Sequence, residues 1–135
     1  MGLTHVSRSF LSVQEMLPAV SQGALGLEVR AGDSRAQELI AFLDDPVTHA
    51  AVDAERGFLA RLEGGCVVPV AGLAQVEGVS LSFEALIGDL DVRKIIRDSI
   101  AGSPGEADSL GRTLAERLLD QGGREILAQI YGRPI

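Results

Sequence analysis

The stretch Ala54-Glu55-Arg56-Gly57-Phe58-Leu59-Ala60-Arg61-Leu62-Glu63-Gly64-Gly65-Cys66-Val67-Val68-Pro69-Val70 changes its hydrophobic period part-way along. Upstream, Val47, Ala51, Ala54, Phe58 and Leu62 recur every three or four residues, as one face of a helix does. Asp45-Pro46 supplies an N-cap followed by proline at the first helical position, so the helix starts at Pro46 and runs to about Glu63. Gly64-Gly65 ends it, and from Cys66 the spacing becomes that of a strand. Cys66, the single cysteine, therefore sits at a helix-to-strand seam.

Working outward, three strand-like runs follow, roughly Cys66 to Val76, Val79 to Ile87 and Arg93 to Ala101. Turns at Glu77-Gly78 and Gly88 to Asp91 separate them. Connections this short imply an antiparallel meander. Pro69 places the first strand at an edge or a bulge. A loop from Gly102 to Gly105 leads to a helix from about Ala107 to Gln121, with Leu110, Leu114, Leu118 and Leu119 as its buried stripe and Gly122-Gly123 as its end. A last helix uses Ile126, Leu127, Ile130 and Tyr131. Before the central helix, Ser34 with Gln37 makes a capping-box pattern for a short helix with Ala36, Leu39, Ile40 and Leu43 on one face. The expected fold class is α+β, a three-stranded antiparallel sheet covered by helices on one face.

Residues 1–32 read differently. Pro18 interrupts the apolar run Leu11, Val13, Met16, Leu17, and Ala24 to Arg30 alternates like a strand. Gly32-Asp33 marks a hinge. The division is 1–32, which reads as an attachment to something else, and 33–135, a self-contained domain.

Composition narrows the function. Twelve basic against nineteen acidic side chains give a net charge of −7, which argues against nucleic acid as a partner. No apolar run is long enough to span a bilayer, so no membrane role is expected. A lone thiol cannot form an internal disulfide and has no second cysteine for a zinc or redox pair. It suits a reducing cytoplasm, the expected localisation. His5 and His49 lack acidic or cysteine partners at ligand spacing, and no metal site is expected. Arg93, Lys94 and Arg97 are either a weak anion contact or a solvated strand edge.

The block Glu55-Arg56, Phe58, Leu62, Gly64-Gly65-Cys66, Val68-Pro69-Val70, Ala71 resembles the signature of the hydroxymethylbilane synthases, also called porphobilinogen deaminases. Leu17-Pro18-Ala19-Val20-Ser21-Gln22-Gly23-Ala24-Leu25-Gly26 is similar to a second block of that family, with Ser21 where the family has glycine. Glu125 to Tyr131 is a third resemblance. Val67 stands where the family often has glutamine.

The resemblance implies a tetrapyrrole (haem) biosynthetic transferase that polymerises porphobilinogen, with loss of ammonia, to hydroxymethylbilane. It implies a dipyrromethane cofactor, built from substrate and joined by thioether to Cys66, with Gly64 and Gly65 giving room in the loop. Gln22 and Gly23 become candidates for the substrate cleft, tight backbone packing being the plainer reading. Glu55 and Arg56 either orient the Cys66 loop or form an ordinary solvated or ion-paired helix surface. The likeness covers only the family's C-terminal part, so the chain reads as a fragment. The family's catalytic aspartate and arginine-lined cavity have no counterpart in it, no catalytic residue is assigned, and inactivity alone is expected. Cys66 is expected to be unmodified in the isolated chain. Residues 14–30, deprived of a first domain, are expected to promote self-association. The competing reading is a free-standing regulatory or binding module that keeps the fold without the chemistry.

Overall fold

The structure, a computed structural model, describes residues 7–62, 69–91 and 93–133. Among these the helices are α1 (Ser34–Ile40), α2 (Pro46–Arg61), α3 (Ala107–Leu118) and α4 (Arg124–Tyr131). The strands are β1 (Val70–Glu77), β2 (Ser80–Gly88) and β3 (Ile95–Gly102), in the order β1-β2-β3, both pairs antiparallel. This is the expected α+β meander.

Local chemistry explains the boundaries. Asp45 caps α2 by accepting from the Thr48 amide, and Pro46 occupies the first turn. The β1–β2 hairpin pairs Glu77 with Ser80, leaving Gly78-Val79 as a two-residue loop. Gly78 takes φ +61° and Val79 is not left-handed, the pattern of a type II′ turn. Pro69 precedes β1, an edge strand, and its carbonyl accepts from the Gly88 amide at 2.9 Å.

Alternation sends Leu81, Phe83, Ala85 and Ile87 of β2 to the helical side and Ser82 and Glu84 to the other. Against that inner row pack Ala54, Phe58 and Leu62 from α2, Leu114, Ala115 and Leu118 from α3, and Ile126 and Leu127 from α4. Phe58 meets Phe83 edge-on, centroids 5.5 Å apart at 85°. Helices α2 and α3 touch through glycines. A Cβ on Gly111 would fall on the Ala54 carbonyl oxygen, and one on Gly57 on the Asp108 carbonyl oxygen.

Several expectations are corrected. The α1 cap is Asp33, which accepts from the Ala36 amide at 3.0 Å, and Ser34 is already helical. No residue of α1 is buried, and Leu39 and Leu43 are exposed, because no described element lies over that face. Leu110 is only half-buried, at the margin of the stripe. The helical path from α3 does end at Gly122, as expected: Gly122 takes a non-helical φ of +111°, and the chain kinks there before α4 begins. Ala24 to Arg30 forms no strand, since a strand needs a ladder partner and none of the described chain provides one.

The segment ahead of α1 does not stand wholly apart from the domain. Ser12 and Glu15 exchange hydrogen bonds in a single capped turn. That turn sets Val13, Gln14 and Leu17 over the sheet face opposite the helices, where Arg97 donates to the Gln14 carbonyl at 3.0 Å. Pro18 accepts from the Gly72 amide at 3.0 Å at the β1 edge, and Val20 then packs onto the inner face. Residues 17–20 thus wrap the edge of β1, while Leu25 and Leu27 beyond them remain exposed.

Candidate functional site

The thiol stretch is carried by α2 and β1. Gly64, Gly65 and Cys66, with Val67 and Val68, lie outside the described residues, as does His5. The described chain stops at Leu62, fully buried, and resumes at Pro69.

Beside those two elements lies an open hollow of about 320 Å³. One wall is Gln22 and Gly23, another is Thr48 and Ala51 of α2, and a third is Ala74 and Gln75 of β1. The structure therefore brings the Gln22-Gly23 pair to the helix and strand that flank the thiol stretch. Both residues are exposed, and Gly23 has φ +80° with open space where a Cβ would be. The hollow's polar side chains are Gln22, Thr48, Gln75 and Glu55. Among the described residues no cationic side chain lines it, so these residues offer no counter-charge to an acetate or propionate group.

Glu55 forms the floor of this region and is 5 % exposed. One carboxylate oxygen accepts from the Ala74 amide at 2.9 Å and the other from the Ser21 amide. Burial pushes its carboxyl above the ordinary carboxylate value, against the two amides, which pull it down. Among the described residues Glu55 is therefore neither solvated nor ion-paired; it joins α2 to β1 and to the N-terminal segment. Arg56, its neighbour, is exposed. Ser21 adopts φ +60°, the left-handed region that favours glycine, and its hydroxyl is buried without a hydrogen-bond partner among the described residues.

Several other charged side chains form ion pairs with one another. Arg61 pairs with Glu116, and Arg124 reaches Glu116 and Asp120. Arg97 pairs with Glu84 across the sheet at 2.6 Å. His49 does have acidic neighbours, contrary to the sequence expectation, since Asp53 stands one helical turn on. Its Nδ1 is 2.9 Å from Asp44 and its Nε2 3.6 Å from Asp53. Asp44 hydrogen-bonding, then the Asp53 charge, raises its pKa. Among the described residues no three His, Cys, Asp or Glu side chains converge as a metal site would require, and no helix is long and apolar enough to cross a membrane.

Sequence reasoning missed Ser21 as a strained site. The available signal was serine at a position where the resembled family has glycine.

A family model described as "Porphobilinogen deaminase, C-terminal domain" matches residues 49–120. A second, "Porphobilinogen deaminase, dipyromethane cofactor binding domain", matches residues 1–38. The chain belongs to the porphobilinogen deaminase family. It is 45 % identical over 135 residues to the porphobilinogen deaminase of Geobacter sulfurreducens, covering all of this chain and 42 % of that one. With the Syntrophobacter fumaroxidans protein of the same name it is 44 % identical over 131 residues, 97 % of this chain and 42 % of the other. With that of Moorella thermoacetica the figures are 49 % over 114 residues, 84 % and 36 %. The chain thus spans about two-fifths of the length of these curated relatives. Gln22 and Gly23 fall in the match named for the cofactor, and Cys66 in the match to the C-terminal domain.

Proposed function

We propose that these 135 residues are the C-terminal part of a hydroxymethylbilane synthase, the cytoplasmic enzyme of haem biosynthesis that joins porphobilinogen units with loss of ammonia. The reading is carried by membership of the porphobilinogen deaminase family together with one thiol, Cys66, in the Gly64-Gly65-Cys66 block. In it, Cys66 supplies the sulfur that holds a dipyrromethane as a thioether. The cofactor serves as the fixed end on which the product chain is built. Gly64 and Gly65 leave room beside the sulfur, and Gln22 and Gly23 border the substrate cleft from the hollow between α2 and β1.

The donor chemistry fits the group in one respect and not in another. The chain has a single thiol for the thioether, but the described hollow has no cation for the pyrrole carboxylates. Those charges are matched, in this reading, by the arginines of the family's other domains. The same reasoning makes the isolated chain inactive, since chain growth needs a positioned proton donor as well as an anchor. Residues 1–32 serve as the connection to those domains and 33–135 as the anchoring domain. Self-association of the isolated chain would run through residues 14–30, where Met16, Leu25 and Leu27 are exposed large apolar side chains. Nucleic acid is no partner in this reading.

Incubation of the isolated chain with porphobilinogen, followed by assay of ammonia, tests the division of labour. Release at the buffer rate is expected, and turnover well above it would overturn the claim.

A further inference from the structure

Glu55 is the one charged side chain buried among the described residues, and no ion pair there involves it. A charge removed from water without a counter-charge is costly, and an aliphatic residue would fill a core-facing helix position more cheaply. What Glu55 gains is two backbone amides, from a residue 34 positions before it and one 19 positions after it. They come from separate elements, and both need an acceptor. A carboxylate offers two acceptor oxygens, whereas an amide side chain offers one acceptor and a donor that would face the second N–H.

The surrounding geometry makes the same point. Gly72 and Ala74 belong to the edge strand β1, and an edge presents unpaired amides. Pro18 takes the Gly72 amide and Glu55 takes that of Ala74. Between these two points the chain crosses the edge, with Leu17 on one side of the sheet and Val20 on the other. Gly72 permits the crossing, because a Cβ there would lie 3.2 Å from Val20 Cγ1 and 2.9 Å from Phe83 Cε2. Ser21 is held left-handed at the point where its amide meets Glu55.

We propose that Glu55 is a latch that locks the segment 17–22 around the free edge of β1 and so fixes where the N-terminal segment enters the domain. The latch closes the β1 edge to pairing with another chain and sets the wall of the hollow formed by Gln22 and Gly23. It stands whether or not Cys66 carries a pyrrole.

Amide NMR on the whole chain tests it. As Glu55 protonates, the Ser21 and Ala74 amide resonances should shift together, with one shared midpoint. In Glu55→Gln that shared titration should vanish, and the approach of the Val20 methyl to the Gly72 α-protons should be lost. Failure of either amide to titrate, two different midpoints, or persistence of the titration in Glu55→Gln would overturn the latch. So would retention of the Val20–Gly72 approach in that variant. Should Glu55→Gln fail to fold, the paired titration of the unsubstituted chain decides the matter alone.

Discussion

Gly111 of α3 lies against the carbonyl of Ala54 in α2 so closely that no side chain fits between them. Gly57, one turn further along α2, makes the reciprocal approach to Asp108. The two helices therefore meet backbone to backbone, and the crossing brings Phe58 and Leu114 together in one core over Phe83.

Gly111→Ala should accordingly destabilise the domain despite alanine's better helix propensity. The obstacle is backbone, which cannot swing aside, so overpacking should cost about 2 kcal/mol or more against a propensity gain of about 1 kcal/mol. Urea denaturation checks this. An unchanged or raised midpoint would mean that the helices are not held at this distance.

Ser21→Gly should stabilise the chain. Releasing the left-handed backbone recovers about 1 kcal/mol and removing the unpartnered buried hydroxyl about 1 kcal/mol more, against a glycine entropy cost of about 0.5–1 kcal/mol. A net gain of about 1 kcal/mol would appear as a melting temperature raised by about 4 °C or more. A lower melting temperature would show that Ser21 has a role that its geometry does not reveal.

His49 gives the clearest pH signature. Its folded pKa is raised, by Asp44 first and Asp53 second, so the fold favours the protonated ring. The resulting stability is fully present below the unfolded value and disappears as pH rises through the folded one. Relative to His49→Gln, the unsubstituted chain should thus be more stable at about pH 5.5 than at about pH 8. An imidazole titration midpoint at or below the free-peptide value would contradict this. Both partners are exposed, so the effect should also weaken in salt.

Most of the fold was legible because its signals are local. Asp45-Pro46, Gly78 and the alternation of Leu81, Phe83, Ala85 and Ile87 each fix a boundary or a face without reference to distant residues. What could not be read depends on which elements meet. Gly57 and Gly111 look like weak helix positions until α2 and α3 are seen to cross. Glu55 looks like a surface carboxylate until Ala74 and Ser21 turn their amides toward it. Leu39 and Leu43 form the expected apolar stripe, yet the described chain leaves it uncovered. Of the candidate site, Gln22 and Gly23 were found beside α2 and β1 as a pair, while the role of Cys66 rests on the sequence around it.

The central claim is that Cys66 is the attachment point of a dipyrromethane. Its most direct test is the intact mass of a chimera in which this chain replaces the matching 42 % of the Geobacter sulfurreducens porphobilinogen deaminase. The chimera should carry two linked pyrrole units on the peptide that contains Cys66, and Cys66→Ser in the same chimera should carry none. A folded chimera with an unmodified Cys66 peptide, or a modification that survives Cys66→Ser, would contradict the account.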